Sequence, residues 1–264
     1  MVEKYRIKGL ELTRKNLLSL EKNILRSLIH ERTHHTIEAF LYQILKGNRK
    51  PPKDFGNEVR ILVDVWKERK FSMKDLDIRW TVGYLDLVET IRSGALPNLK
   101  GKVPEPFKEK DLEAVDNLLF ARRSIRQWKK KRVPKKMIRR IIEAGLAAPN
   151  ACNMQCQRFL VLDDQDKAAM LLIKADVPVP PVKIVICQDM RIYEWMGFPD
   201  RSPQNIYFDA AATADHMLLM AHALGLGGVW LTHSKKQAEK LRKHLGLPKS
   251  LRMDTHIALG WPDE

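Results

Sequence analysis

The chain has 264 residues, 44% of them apolar and 30% charged, with a formal net charge of +15. That length and balance fit a globular protein of one large domain or two modest ones, and exclude fibrous and low-complexity classes. No apolar run approaches the roughly 20 residues needed to span a bilayer, and Met1 to Arg6 lacks the apolar core of a signal peptide, so the default compartment is the cytoplasm.

The basic excess is spread along the chain. Residues 1–110 hold 23 basic against 15 acidic side chains (net +8), and residues 111–264 hold 24 against 17 (net +7). One run is dense: Lys129, Lys130, Lys131, Arg132, Lys135, Lys136, Arg139 and Arg140, with no acid between Arg122 and Ile142. A solvated basic face is the plain reading of it. Attraction of phosphorylated small molecules comes next. Specific nucleic-acid binding comes last, because no recognisable nucleic-acid motif lies beside it.

From Leu10 to Lys46 apolar residues such as Leu17, Leu25, Leu28, Ile29, Ile37, Leu41 and Ile44 recur at three- and four-residue steps, which predicts helix. Gly47-Asn48 and Pro51-Pro52 stop it. Within it, His30-Glu31-Arg32-Thr33-His34 spells the H-E-x-x-H of zinc proteases. Such a site needs a third ligand and a cleft, and the flanking residues offer neither, so the stretch reads as a packed or solvated helix face. Further helices are predicted from Asn57 to Lys70 and from Lys74 to Ser93, the second with Gly83 in its middle. Residues 1–94 therefore read as an all-α region. Residues 95–110, with Pro97, Gly101, Pro104 and Pro106, read as a linker.

The rest alternates helix and strand. Asp111 to Phe120 is predicted helical, as is Pro134 to Ala147, where Pro134 suits a first turn. Arg158 to Leu162 reads as a strand, Asp163 to about Lys174 as a short helix, and Val182 to Cys187 as a buried strand. Asp189 to Gln204 is irregular and rich in aromatic and Met side chains. Gln204 to Leu224 is a long apolar helix, Gly227 to Thr232 a strand, Ser234 to Leu245 a helix and Met253 to Gly260 the last strand. The Gly225-Leu226-Gly227-Gly228 run follows a helix and precedes a strand. A dinucleotide fingerprint runs from strand to helix, so these glycines read as a helix stop.

Two stretches carry the chemistry. Arg122-Arg123-Ser124-Ile125-Arg126 offers three guanidinium groups and a hydroxyl, a set suited to a phosphate. Ala147 to Gln155 offers three side-chain amides on a loop after a helix, and amides donate and accept at once, which suits the edge of a heterocycle. R-R-S-x-R, then a helix, then A-P-x-x-x-N-x-Q resembles the N-terminal signature of the FMN-dependent nitroreductase family. Asp209-Ala210-Ala211-Ala212, followed by an apolar helix to Gly227-Gly228-Val229-Trp230-Leu231, agrees with it. The resemblance covers about Leu112 to Glu264.

That resemblance implies an α+β fold with a central mixed or antiparallel sheet, carried by residues 111–264, with the N-terminal all-α region as an addition. It implies FMN as cofactor, NADH or NADPH as reductant, and a homodimer with FMN at its interface. Arg122, Ser124 and Arg126 would hold the phosphate and ribityl chain or pyrimidine ring, with Arg123 contributing mainly backbone. Pro149, Asn150 and Asn153, supported by Gln155, would come from the partner subunit, and the backbone at Leu231 and Thr232 would face flavin N5. Reduction of a nitroaromatic, quinone or similar acceptor would follow a ping-pong cycle through one pocket. No catalytic dyad is legible, and a flavin enzyme needs none, because the cofactor carries the chemistry. The three cysteines, Cys152, Cys156 and Cys187, give no disulfide framework and read as reduced thiols, with Cys152 and Cys156 open to oxidation beside such a cofactor.

Two departures stand out. The sequence stops at Glu264, where the family usually continues into a tail carrying a further basic residue. The helical region before Asp111 is extra, and its expected role is dimer clasp or active-site cover. Two alternative readings are a flavin-binding sensor or interaction protein without turnover, and a basic nucleic-acid-associated protein.

Overall fold

A computed structural model describes residues 4–97 and 104–264. The chain divides into two compact units: residues 1–105 with 152–154, and residues 106–151 with 155–264. The boundary thus falls inside the expected linker, of which residues 98–103 lie outside the described residues.

The N-terminal unit is not wholly helical. It opens with a hairpin, β1 (Lys4–Ile7) against β2 (Leu10–Thr13), antiparallel in the register Lys4 to Thr13. Its two-residue turn is Lys8-Gly9, both at positive φ (52° and 78°), the geometry that matches the twist of tight hairpins. The helix expected from Leu10 is therefore corrected at its start. It is also broken later, into α1 (Arg14–Ser19), α2 (Lys22–Thr33), a π-helical turn (His34–Glu38) and α3 (Ala39–Leu45). Thr13 starts α1 through a capping box with Asn16. The two later helices, α4 (Asn57–Glu68) and α5 (Leu76–Arg92), match their predicted positions, and α5 runs through Gly83. Leu25, Leu28, Ile29, Ile37, Leu62, Trp66, Ile78 and Val88 are buried.

The H-E-x-x-H residues have structural partners. Glu31 is buried and bonded twice by Arg32, at 2.5 and 2.7 Å. His30 Nε2 lies 2.7 Å from Asp77, which also receives both arms of Arg26. Burial works against the Asp77 carboxylate, but the His30 and Arg26 hydrogen bonds outweigh it and hold its pKa well below the usual range.

The second unit carries the sheet. In chain order it holds α6 (Glu109–Phe120), α7 (Lys135–Leu146), β3 (Gln157–Leu162), α8 (Lys167–Leu172), β4 (Val182–Asp189), α9 (Met190–Trp195), α10 (Phe198–Arg201), α11 (Asn205–Ala223), β5 (Gly227–Thr232), α12 (Lys235–Leu245) and β6 (Leu251–Gly260). The sheet order is β3-β4-β6-β5, antiparallel throughout. Alternation along the central strands splits the core in two. Val182, Ile184, Ile186, Ile257 and Leu259 pack with Ile141 of α7 and Ala214, Met217 and Ala221 of α11. Val185, Cys187 and Met253 pack with Met170 of α8 and Leu241 of α12. Every residue of β4 is buried, Lys183 included, so its nearly continuous apolar run is that of a strand covered on both faces. Gly145 lets α7 and α11 approach, since a Cβ there would lie 2.7 Å from Met217 Cγ. No helix among the described residues is long and apolar enough to cross a membrane.

Candidate functional site

The arginine stretch leaves the end of α6 and is pinned to the start of β5. Ser124 bridges Gly228 in parallel, and Ile125 N–H donates to Gly228 O at 3.1 Å. Trp128 Nε1 donates to Gly227 O at 3.1 Å. Gly227 is required here: a Cβ would sit 2.6 Å from Ile125. From the other side, the backbone N–H groups of Arg126 and Gln127 donate to the Glu264 carboxylate. Lys129 N–H donates to Trp261 O at 2.9 Å.

These anchors leave the guanidinium groups unequal. Arg123 is turned back on its own backbone, donating to Phe120 O at 2.7 Å and Arg122 O at 3.0 Å. Arg126 is exposed, with one long contact to Ser124 O at 3.3 Å. Arg122 and Arg123 both line a cavity of about 320 Å³ with Ile125, Leu218, His222 and Gly227.

The amide loop is built by its own side chains. Asn150 Oδ1 accepts from Gln155 N–H at 2.9 Å, closing the loop on itself. Cys152, Asn153 and Gln155 all have positive φ, at 51°, 53° and 55°. Such conformations cost of order 1–2 kcal/mol per non-glycine residue and cluster where a loop serves a purpose. The anchor is Asp209 in the first third of α11. Its Oδ1 accepts from Ala151 N–H at 2.9 Å and its Oδ2 from Tyr193 O–H at 2.5 Å. Asp209 and Tyr193 are buried, and burial pushes the Asp209 pKa up against both hydrogen bonds. Pro149 is exposed, and Asn150, Asn153 and Gln155 are half-buried, Asn153 falling within the N-terminal unit.

Leu231 and Thr232 end β5. Leu231 O accepts from Thr255 Oγ1 at 2.8 Å, and Thr232 is exposed. Beside them, His233 Nδ1 lies 3.2 Å from His256 Nδ1, and His256 is fully buried. Burial, then His233 and Lys183, pull the His256 pKa down to about 3. Lys183, pulled down by burial to about 8, donates to Met170 O at 2.8 Å and also to Ile173 O. The cysteines form no disulfide. Cys156 and Cys187 are buried, which raises both thiols, Cys187 to about 12, and makes them poor nucleophiles.

In one chain, the structure therefore joins the arginine stretch to the glycine end of β5, and the amide loop to the start of α11. Asp209, which holds the loop, and Leu218, which lines the arginine cavity, are nine steps apart on α11, about 14 Å. The anchoring roles of Asp209 on Ala151 and of Glu264 on Arg126, 58 and 138 residues apart, have no local sequence signal.

A model described as the nitroreductase family matches residues 119–181 and 180–261, more than half of the chain. A protein of Archaeoglobus fulgidus, provisionally named an NADH dehydrogenase/NAD(P)H nitroreductase, is 27% identical over 160 residues, 58% of this chain and 88% of its own. A protein of Thermus thermophilus named NADH dehydrogenase is 29% identical over 174 residues, 54% of this chain and 84% of its own. Among solved structures, an FMN-dependent nitroreductase from Clostridium difficile is 27% identical, with a TM-score of 0.48 over 56% of this chain and 87% of that one.

Proposed function

Because the chain belongs to the nitroreductase family, we propose that it is an FMN-dependent oxidoreductase. NADH or NADPH would supply electrons for reduction of a small organic acceptor such as a nitroaromatic or a quinone. The observation that carries this reading is the cavity beside Gly227, lined by Arg122 and Arg123 on a stretch that the fold anchors to β5 through its backbone. That donor set fits a phosphate.

Arg122 and Arg126 would hold the phosphate, Ser124 the ribityl chain or ring edge, and Arg123 would contribute backbone, since its guanidinium is tied to two carbonyls. Pro149, Asn150, Asn153 and Gln155 would serve from a second copy of the chain. What supports this is the spacing along α11, where the loop anchor Asp209 and the cavity residue Leu218 lie about 14 Å apart. Asn150 acts on the loop first, fixing Gln155 through its backbone. The backbone at Leu231 and Thr232 would face the reactive edge of the ring. Bound FMN supplies hydride and electron transfer, which is why no protein nucleophile or acid–base dyad is needed. Reductant and acceptor would use one pocket in turn, a ping-pong order.

Steady-state oxidation of NADH and NADPH tests this, with a quinone and a nitroaromatic as acceptors. Acceptor-dependent turnover with parallel double-reciprocal lines is expected. Flavin-loaded protein that turns over no acceptor with either nucleotide would overturn the enzymatic reading.

A further inference from the structure

The N-terminal unit holds a cavity of about 390 Å³ between α3 and α5, lined by Tyr42, Trp80 and Tyr84, with Glu38 and Gly83. The Trp80 and Tyr84 rings stand 5.1 Å apart at 68°, two walls of a corner. Glu38 brings a carboxylate to it. Its Oε1 accepts from Tyr84 O–H at 2.8 Å, and its Oε2 lies 2.8 Å from His34 Nδ1, so the group is fixed in position. Burial and then Glu38 raise the Tyr84 pKa, which keeps the phenol a donor.

Two backbone features favour an occupant. Residues His34–Glu38 form a π-helical turn, an insertion that recurs at functional sites and here carries Glu38 itself. Gly83 lies mid-helix, where glycine costs about 0.5–1 kcal/mol against alanine. Nothing lies within 4 Å of where its Cβ would be, so no packing neighbour explains it. The absent side chain leaves the cavity floor open.

We propose that this cavity binds the ammonium head of a small organic cation. Faces of Trp and Tyr attract cations through their ring quadrupole, alkylated ammonium most of all because it sheds water easily. The fixed Glu38 carboxylate adds charge complementarity. Arg79 also lines the cavity but is exposed, where water and salt screen it.

The test is calorimetric titration of the full chain with choline and with its neutral isostere 3,3-dimethylbutan-1-ol. Saturable choline binding, at least tenfold tighter than the isostere, is expected. Glu38→Gln should weaken choline by tenfold or more, and Gly83→Leu, which fills the floor with a better helix former, should abolish binding while the far-ultraviolet circular dichroism stays unchanged. Absence of saturable choline binding would overturn the proposal. So would equal affinity for the isostere, or full affinity in a folded Gly83→Leu chain.

Discussion

Replacing Asp209 with alanine probes how the amide loop is held. The carboxylate is buried and accepts two hydrogen bonds, from Ala151 N–H at 2.9 Å and Tyr193 O–H at 2.5 Å. A hydrogen bond to a charged acceptor contributes about 1.5–3 kcal/mol, and a buried donor left unpaired costs about 1–3 kcal/mol. Tyr193 keeps a second acceptor in Gln188 Oε1 at 3.2 Å, so its loss is partly recovered. Ala151 is only half-buried and can turn to water. Offsetting the carboxylate's own desolvation, the net loss should be about 2–4 kcal/mol. Urea unfolding gives it directly. Tyr193→Phe alone should lose about 1 kcal/mol, and the double variant should show coupling of about 1–2 kcal/mol. The loop should also become sensitive to limited proteolysis between Pro149 and Gln155, since its positive-φ residues would lose their anchor. An Asp209→Ala chain within 0.5 kcal/mol of the parent, with an equally resistant loop, would refute the anchoring role.

Arg122→Ala should weaken FMN by about 10- to 100-fold, the worth of one charge-assisted phosphate contact, read by flavin fluorescence titration; unchanged affinity would move the phosphate elsewhere. Gly227→Ala places a Cβ 2.6 Å from Ile125 and should cost about 1–3 kcal/mol by overpacking, with the Ser124–Gly228 bridge lost first. A stability curve against pH addresses His256. The unfolded chain takes up that proton near pH 6.5, the folded chain only near 3, so stability should fall as pH drops through this window, by up to about 1.4 kcal/mol per unit. His256→Leu should make that slope shallower by about one proton, seen in urea midpoints from pH 7 to 4.

Local signals gave most of the second unit. β5 starts and ends at Gly227 and Thr232 as its glycine run and β-branched end imply, and β4 follows from a nearly continuous apolar run. The hairpin β1–β2 escaped because four-residue strands carry too few repeats to show a period of two, and Leu10, Leu17 and Leu18, seven and eight residues apart, also fit a helical spacing. The break at Leu20 carries no glycine or proline, and the π-turn at His34–Glu38 has no sequence mark at all. Between Asp189 and Gln204, where no regular element was expected, two short helices form, the second entered through Gly197 at φ 72°. At the site, residue types were legible but the use of each side chain was legible only in part. Asn150 spends its carbonyl oxygen on the loop, which no local pattern marks. Asp209 acts across 58 residues and Glu264 across 138, separations that no local pattern encodes.

The most direct measurement is the visible spectrum of the purified protein, followed by release and identification of its chromophore and by anaerobic addition of NADH or NADPH. A yellow protein that releases about one FMN per chain, and whose long-wavelength band bleaches with one of the two nucleotides, is the predicted result. A colourless protein that also fails to take up added FMN would contradict the assignment of Arg122, Ser124 and Arg126 to a flavin phosphate, and with it the proposed oxidoreductase.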